Sequence, residues 1–146
     1  MITDALHLLL ADDDVDDCIF FKEALDELPV PATLTTVNDG VQLMNLLKNE
    51  NKRPHVIYLD LNMPRKNGHE CLEEIKGNDG LKSLPVIIYS TSYLAEVVKS
   101  LYERGASYYI RKPAAFADLK SVILKSLTLI SDNRQPTLEN FMIHSK

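Results

Sequence analysis

VIYLDLNMPRKNG, Val56 to Gly68, is the stretch whose reading decides the fold. Within a third strand spanning His55 to Asp60, the run Val56 to Leu59 is apolar at every position, as in a strand covered on both faces. It ends on Asp60, and Met63-Pro64 and Gly68 then signal a tight turn. The apolar body anchors the strand while its last residue presents a carboxylate at the tip. The question is what that carboxylate faces.

The same pattern repeats outward from this stretch. Leu6 to Ala11 reads as another fully covered strand, Thr33 to Val37 as a second, Pro85 to Ser90 as a fourth and Ser107 to Arg111 as a fifth. Between them lie helical segments. Val15, Cys18, Ile19, Leu25 and Leu28 recur at helical spacing until Pro29 and Pro31, and Val41 to Lys48 follows the Asn38-Asp39-Gly40 turn. Glu70 to Lys76 ends at Gly77, Leu94 to Arg104 ends at Gly105, and Leu119, Val122, Ile123, Leu127 and Ile130 line one face of a last helix. Five strands alternating with five helices through short connections imply right-handed crossovers and a parallel sheet between two helix layers. Five units do not close an eight-fold barrel, so an open doubly wound α/β sheet is expected, with ligands at the carboxyl ends of its strands.

Bulk properties agree with one globular domain. The chain has 146 residues, with 45% hydrophobic and 25% charged side chains. A net charge of -5 and no basic cluster interleaved with aromatics speak against direct nucleic-acid binding. No apolar run approaches membrane-spanning length, and the first residues lack a secretion signal. Cys18 and Cys71 fall inside helices and read as small core residues, which suits a reducing cytoplasm. His7, His55, His69 and His144 lack metal-ligand spacing, and Tyr93, Tyr102 and Tyr108 read as packing or interface residues.

The carboxyl ends of the strands carry an unusual set. The first ends in Asp12, Asp13 and Asp14, the third in Asp60, the fourth in Ser90, Thr91 and Ser92, and the fifth in Lys112 before Pro113. Asn38 and Asp39 end the second, outside the expected switch point. Asp14, Asp16 and Asp17 are accounted for by a helix start, where carboxylates cap free N–H groups. Asp12 and Asp13 precede the helix, and further charge stacked there calls for a cation. Carboxylates from two strands make a hard oxygen site suited to Mg²⁺, whose remaining water positions can take phosphate oxygens. Asp60 would then be a nucleophile toward a phosphoryl group, with Lys112 and the Ser90 hydroxyl on its other oxygens.

These residues resemble the receiver domains of two-component response regulators over roughly residues 5 to 130. LLLADDD, YLDLNMPRKNG, PVIIYSTS and YYIRKP carry the likeness. The resemblance implies a flavodoxin-like (βα)5 fold with strand order 2-1-3-4-5 and Asp60 as phospho-acceptor. It implies Mg²⁺ held by Asp12, Asp13, Asp60 and the backbone carbonyl of Asn62, with Lys112 as ion-pairing lysine and Ser90 as switch hydroxyl. Tyr109 falls at the aromatic switch and rotates inward on activation, and the bond before Pro113 is typically cis. A sensor histidine kinase supplies the phosphoryl group, and the fourth helix, fifth strand and fifth helix form the surface that docks a downstream protein. Such a protein is a phospho-acceptor with possible autodephosphorylation, not an enzyme turning over an external substrate.

Residues 1–130 are thus expected to form the receiver. Residues 131–146 follow as a short tail, too short for an output domain, as in chemotaxis-type and phytochrome-associated receivers. SDNRQP reads as a mobile linker, and Leu138, Phe141, Met142 and Ile143 as residues that either pack or fray. Apolar residues near the fifth strand permit a homodimer. Among rivals, a haloacid dehalogenase-type enzyme would want an acid where Asn62 stands, and a flavodoxin-like phosphate binder would be repelled by Asp12 to Asp14. The stronger alternative is a degenerate receiver that binds partners without phosphorylation.

Overall fold

A computed structural model describes residues 5–145. Five strands, β1 (Leu6–Ala11), β2 (Ala32–Val37), β3 (Val56–Leu59), β4 (Val86–Ser90) and β5 (Tyr108–Arg111), alternate with five α-helices. These are α1 (Val15–Asp26), α2 (Gly40–Leu47), α3 (Gly68–Lys76), α4 (Ala95–Glu103) and α5 (Phe116–Ser131), with one 3-10 turn at Glu50–Lys52. The sheet is parallel in the order β2-β1-β3-β4-β5, the order expected from the sequence. Among the described residues no helix is long and apolar enough to cross a membrane.

Because side chains alternate along a strand, the uniformly apolar strands feed two cores at once. Leu9, Ala11, Ile57, Leu59, Val86, Ile88 and Tyr109 meet α2, α3 and α4 through Leu43, Leu72 and Leu101. Leu8, Leu10, Val56, Tyr58, Ile87, Tyr89 and Ile110 meet α1 and α5 through Phe21, Leu25, Val122 and Leu127. Tyr58, buried in the second core, satisfies its hydroxyl with Ser126 at 2.5 Å.

Two details of α1 and α4 depart from or refine the sequence reading. Val15 and Ile19, grouped with the apolar face of the first helix, are 62% and 52% exposed. The face that packs is Cys18, Phe21, Ala24 and Leu25, which turns Val15 and Ile19 toward the side of β2. At the end of α4, Gly105 takes φ 99 just after the cap residue Arg104, and the Ala106 N–H reaches back to the Leu101 carbonyl, so glycine supplies the left-handed residue that ends the helix.

The C-terminal segment takes one of the alternatives its sequence leaves open: it packs on the domain. Residues 141–143 lie parallel to β5 as a single bridge, with the Tyr109 N–H donating to the Phe141 carbonyl at 3.0 Å and the Ile143 N–H donating to the Tyr109 carbonyl at 2.9 Å. Phe141 is fully buried. The β5 edge is therefore filled within one chain: an aromatic residue enters the core there while the backbone satisfies the strand edge.

Candidate functional site

Each candidate side chain is delivered by a strand end whose position the sheet fixes. The Asp12 N–H donates to the Val37 carbonyl, the Asp60 N–H to Ala11 and the Lys112 N–H to Ser90, so β1, β3, β4 and β5 stay in register to their last residue. Beyond Asp60 the chain must turn at once. Arg65, at φ 65, takes the left-handed position of that turn, and Gly68 serves a different need. A Cβ on Gly68 would lie 2.3 Å from the Asp60 carbonyl oxygen, so only glycine lets the start of α3 approach the strand tip. Asn67 and Glu70 then close a reciprocal cap at the head of α3.

The side chains converge. Lys112 Nζ donates to Asp12 Oδ2 at 2.8 Å, to Asp17 Oδ2 at 2.8 Å and to Asp60 Oδ2 at 3.3 Å. Its ammonium also lies 5.2 Å from the centre of the Tyr89 ring. Asp12 is fully buried, and Asp60 is 5% exposed. Carboxylate oxygens of Asp12, Asp13 and Asp60 all lie within 4.8 Å of one another, with Asp13 open to solvent. The Asp12 carboxylate accepts from the Asp14 N–H, and Asp60 accepts from the Asn62 N–H at 3.4 Å.

Ser90 and Tyr109 form an adjoining chain of contacts. Ser90 Oγ accepts from the Ser92 N–H at 3.2 Å, and the Tyr109 hydroxyl donates to the Ser92 carbonyl at 2.5 Å. Tyr109 is only 1% exposed, so it already occupies the inward position that the resemblance ties to activation. The bond before Pro113 is trans, as are all described peptide bonds, in contrast to the cis form implied by the resemblance. An X–Pro bond prefers trans by about 0.5–1 kcal/mol, and Lys112 reaches its three carboxylates in that form.

Asp17 is the residue the sequence reading passed over. Asp14 caps α1 through the N–H groups of Asp16 and Asp17, as expected. Asp17 points one turn further, toward the strand ends, and shares Lys112 with Asp12. The missed signal is its spacing: five residues past Asp12 on a helix that starts at the strand tip returns a side chain to the same edge.

The electrostatics follow from three carboxylates around one ammonium. Burial pushes the Asp12 carboxyl up from 3.8 to about 6, against hydrogen bonds from Lys112 and the Asp14 N–H, and Asp60 adds to the rise. Burial works against the Lys112 charge, but hydrogen bonds to Asp12 and Asp17 outweigh it and hold the ammonium above its ordinary range. The pocket is thus anion-rich and built from hard oxygen donors, which fits a divalent cation. The two cysteines are free and buried, with both thiols pushed up to about 11 by burial, so neither competes for that role.

A pH and metal dependence follows. Asp12 titrates higher folded than unfolded, so its contribution to stability is complete below pH 3.8 and is lost as pH rises through about 6. Without metal, Asp12→Asn is expected to gain stability relative to wild type as pH rises from 4 to 7.5, because only the wild type must give up a proton there. MgCl₂ at ten times its dissociation constant stabilises the wild type by about 1.4 kcal/mol at pH 7.5, and less in Asp12→Asn. Thermal and urea melts with EDTA or MgCl₂ at the two pH values measure this; a stability difference between the two proteins that does not change from pH 4 to 7.5 contradicts it.

The comparisons with known proteins bear on this arrangement. The model of the family described as the response regulator receiver domain matches residues 8–124. The chain belongs to the response regulator receiver domain family. Response regulator Rcp1 of Synechocystis sp. is 33% identical over 121 residues, covering 80% of this chain and 82% of that protein. The crystal structure of the phosphorylated cyanobacterial phytochrome response regulator RcpA superposes with a TM-score of 0.80 at 31% identity, over 92% of this receiver and 100% of RcpA. The Mn²⁺-bound form of Rcp1 superposes with a TM-score of 0.75 at 31% identity, over 90% of this receiver and 99% of that chain. The receiver is therefore a homologue of single-domain response regulators and serves phosphorylation-dependent signalling, and a divalent ion fits its acidic cluster.

Proposed function

We propose that this receiver takes a phosphoryl group from the phosphohistidine of a sensor histidine kinase onto Asp60, in a Mg²⁺-dependent step, and thereby switches a protein-docking surface. The observation that carries the reading is the single ammonium of Lys112 touching Asp12 and Asp60 while Asp13 closes the carboxylate triangle. A degenerate receiver has no use for that assembly, because packing buried charges costs stability unless they serve a ligand.

In the proposed step an oxygen of Asp60 attacks phosphorus and forms a P–O bond. The P–N bond breaks with its electron pair left on the donor imidazole, whose other nitrogen carries the proton that makes it neutral. Mg²⁺, when held by Asp12, Asp13, Asp60 and the backbone carbonyl of Asn62, supplies the positive charge that offsets repulsion between carboxylate and phosphoryl oxygens. Lys112 contributes a fixed cation on the phosphoryl oxygens, and Ser90 a hydroxyl. The product carries roughly -1.5 to -2 charge and three acceptor oxygens. Ser90 and Tyr109 pass that change to α4, β5 and α5, where a downstream protein docks. Water then hydrolyses the acyl phosphate to inorganic phosphate and the free Asp60 carboxylate, with no external substrate turned over. Residues 1–130 act as the receiver unit in the cytoplasm, where buried free thiols stay reduced.

Intact-mass analysis with acetyl phosphate and MgCl₂ tests this. The wild type is expected to gain one phosphoryl group that hydroxylamine removes, as an acyl phosphate requires, and EDTA is expected to prevent the gain. Equal labelling of Asp60→Asn, or no labelling of the wild type, refutes the assignment.

A further inference from the structure

The C-terminal segment does more than fill a sheet edge. Phe141 is fully buried with two aromatic neighbours, Tyr102 at 5.4 Å and Tyr109 at 6.4 Å between ring centres. Tyr109 gives its backbone N–H and carbonyl to the same segment and its hydroxyl to the Ser92 carbonyl. Ser92 in turn donates its N–H to Ser90 Oγ. One residue therefore joins the tail on one side to the hydroxyl of the phosphorylation site on the other. The segment is tied down further along: Lys125 Nζ donates to the His144 carbonyl at 2.6 Å, and Ser121 Oγ to the Ser145 carbonyl at 2.8 Å. Thr137 and Asn140 close the turn that leads into it.

We infer that residues 137–145 are an intramolecular strap that holds Tyr109 inward, and that strap seating and phosphorylation of Asp60 favour one another. The coupling rests on the reading of Asp60 as phospho-acceptor and of Ser90 and Tyr109 as its relay. A Tyr109 ring that left its pocket would strip Phe141 of one of its two aromatic neighbours, so the seat is better formed when Tyr109 is inward. Whatever draws Tyr109 inward must therefore tighten the strap, and the strap must favour that state by the same factor. The consequence for docking is specific. The strap lies on the α4, β5 and α5 face and closes the β5 edge, so a downstream protein docking on that face meets α4 and the outer side of the strap rather than pairing with β5.

Hydrogen exchange read by mass spectrometry on the full chain separates the parts of this inference. Phe141→Ala is expected to speed exchange in peptides covering Tyr109 and Ile143 about tenfold or more while β1 and β3 are unchanged. Acetyl phosphate with MgCl₂ is expected to slow the same peptides about threefold or more in the wild type and not in Asp60→Asn. Unchanged exchange in Phe141→Ala overturns the seat, and faster exchange on phosphorylation overturns the coupling. Protection that falls on dilution overturns the intramolecular assignment, since it places a second copy's tail on β5. If Phe141→Ala unfolds the domain, β1 and β3 report it, and Phe141→Leu, which keeps bulk but removes the ring contact, then decides the seat. A wild type that gains no phosphoryl group fails the phospho-acceptor reading and the coupling with it, whereas the Phe141 variants still judge the strap.

Discussion

Lys112→Met will bind Mg²⁺ more tightly than the wild type and yet accept phosphoryl groups more slowly. The two effects have opposite signs because Lys112 has two relations to the same carboxylates. Its ammonium contacts Asp12 and Asp60 at 2.8 and 3.3 Å, so a cation entering the pocket must compete with it. Removing that charge is expected to raise Mg²⁺ affinity about tenfold. During transfer the same ammonium is a preorganised charge on the phosphoryl oxygens, and losing one such group costs about 10²-fold in rate. Metal titration followed by calorimetry, and phosphorylation kinetics with acetyl phosphate, give the two readouts. Lys112→Arg keeps the charge and is expected to return most of the rate. A variant in which affinity and rate fall together has lost its fold, and one in which neither changes leaves Lys112 without the proposed role.

Gly68→Ala is expected to damage both stability and phosphoryl uptake through a single added methyl group. Its Cβ would stand 2.3 Å from the Asp60 carbonyl oxygen and 2.8 Å from Leu61 Cα. Both are backbone atoms, so no side-chain end can swing away. The Gly68 N–H also donates to the Leu61 carbonyl, which ties the head of α3 to the same two residues. Relief requires α3 or the β3 tip to move, at about 3 kcal/mol or more of overpacking. Because a displacement near 1 Å at a reacting group can cost about 10²-fold, phosphoryl uptake should fall even at temperatures where the variant stays folded. Urea denaturation and acetyl phosphate labelling at low temperature separate the two losses. A Gly68→Ala protein with wild-type stability would mean that the loop is less constrained than its contacts imply.

The fold was legible because β1, β3 and β4 are almost wholly apolar and the turns carry their own punctuation. Leu6 to Ala11 matches β1 residue for residue, and the parallel doubly wound sheet follows from strict alternation, whereas the order β2-β1-β3-β4-β5 is what the family resemblance implies. Asp12, Asp13, Asp60 and Lys112 were legible as neighbours for the same reason, since a parallel sheet brings every strand's carboxyl end to one edge. Asp17 was hidden by its own helix. A carboxylate in a first turn has a sufficient local explanation, and only the position of β5 shows that it has a second partner. Val15 and Ile19 misled in the opposite direction: helical spacing fixes which residues share a face, but not how far that face extends before solvent begins. In the tail, seven residues from Thr137 to Ile143 are too few for any period to show, and it is the unpaired edge of β5 and the Tyr102 and Tyr109 rings that give Phe141 its place.

The partners of Lys112 are 52, 95 and 100 residues away along the chain. During synthesis the carboxylates of the first and third strand tips therefore leave the ribosome well before the lysine that pairs with them. Only after the fifth strand has emerged and closed the far side of the sheet does the cluster acquire its counter-charge.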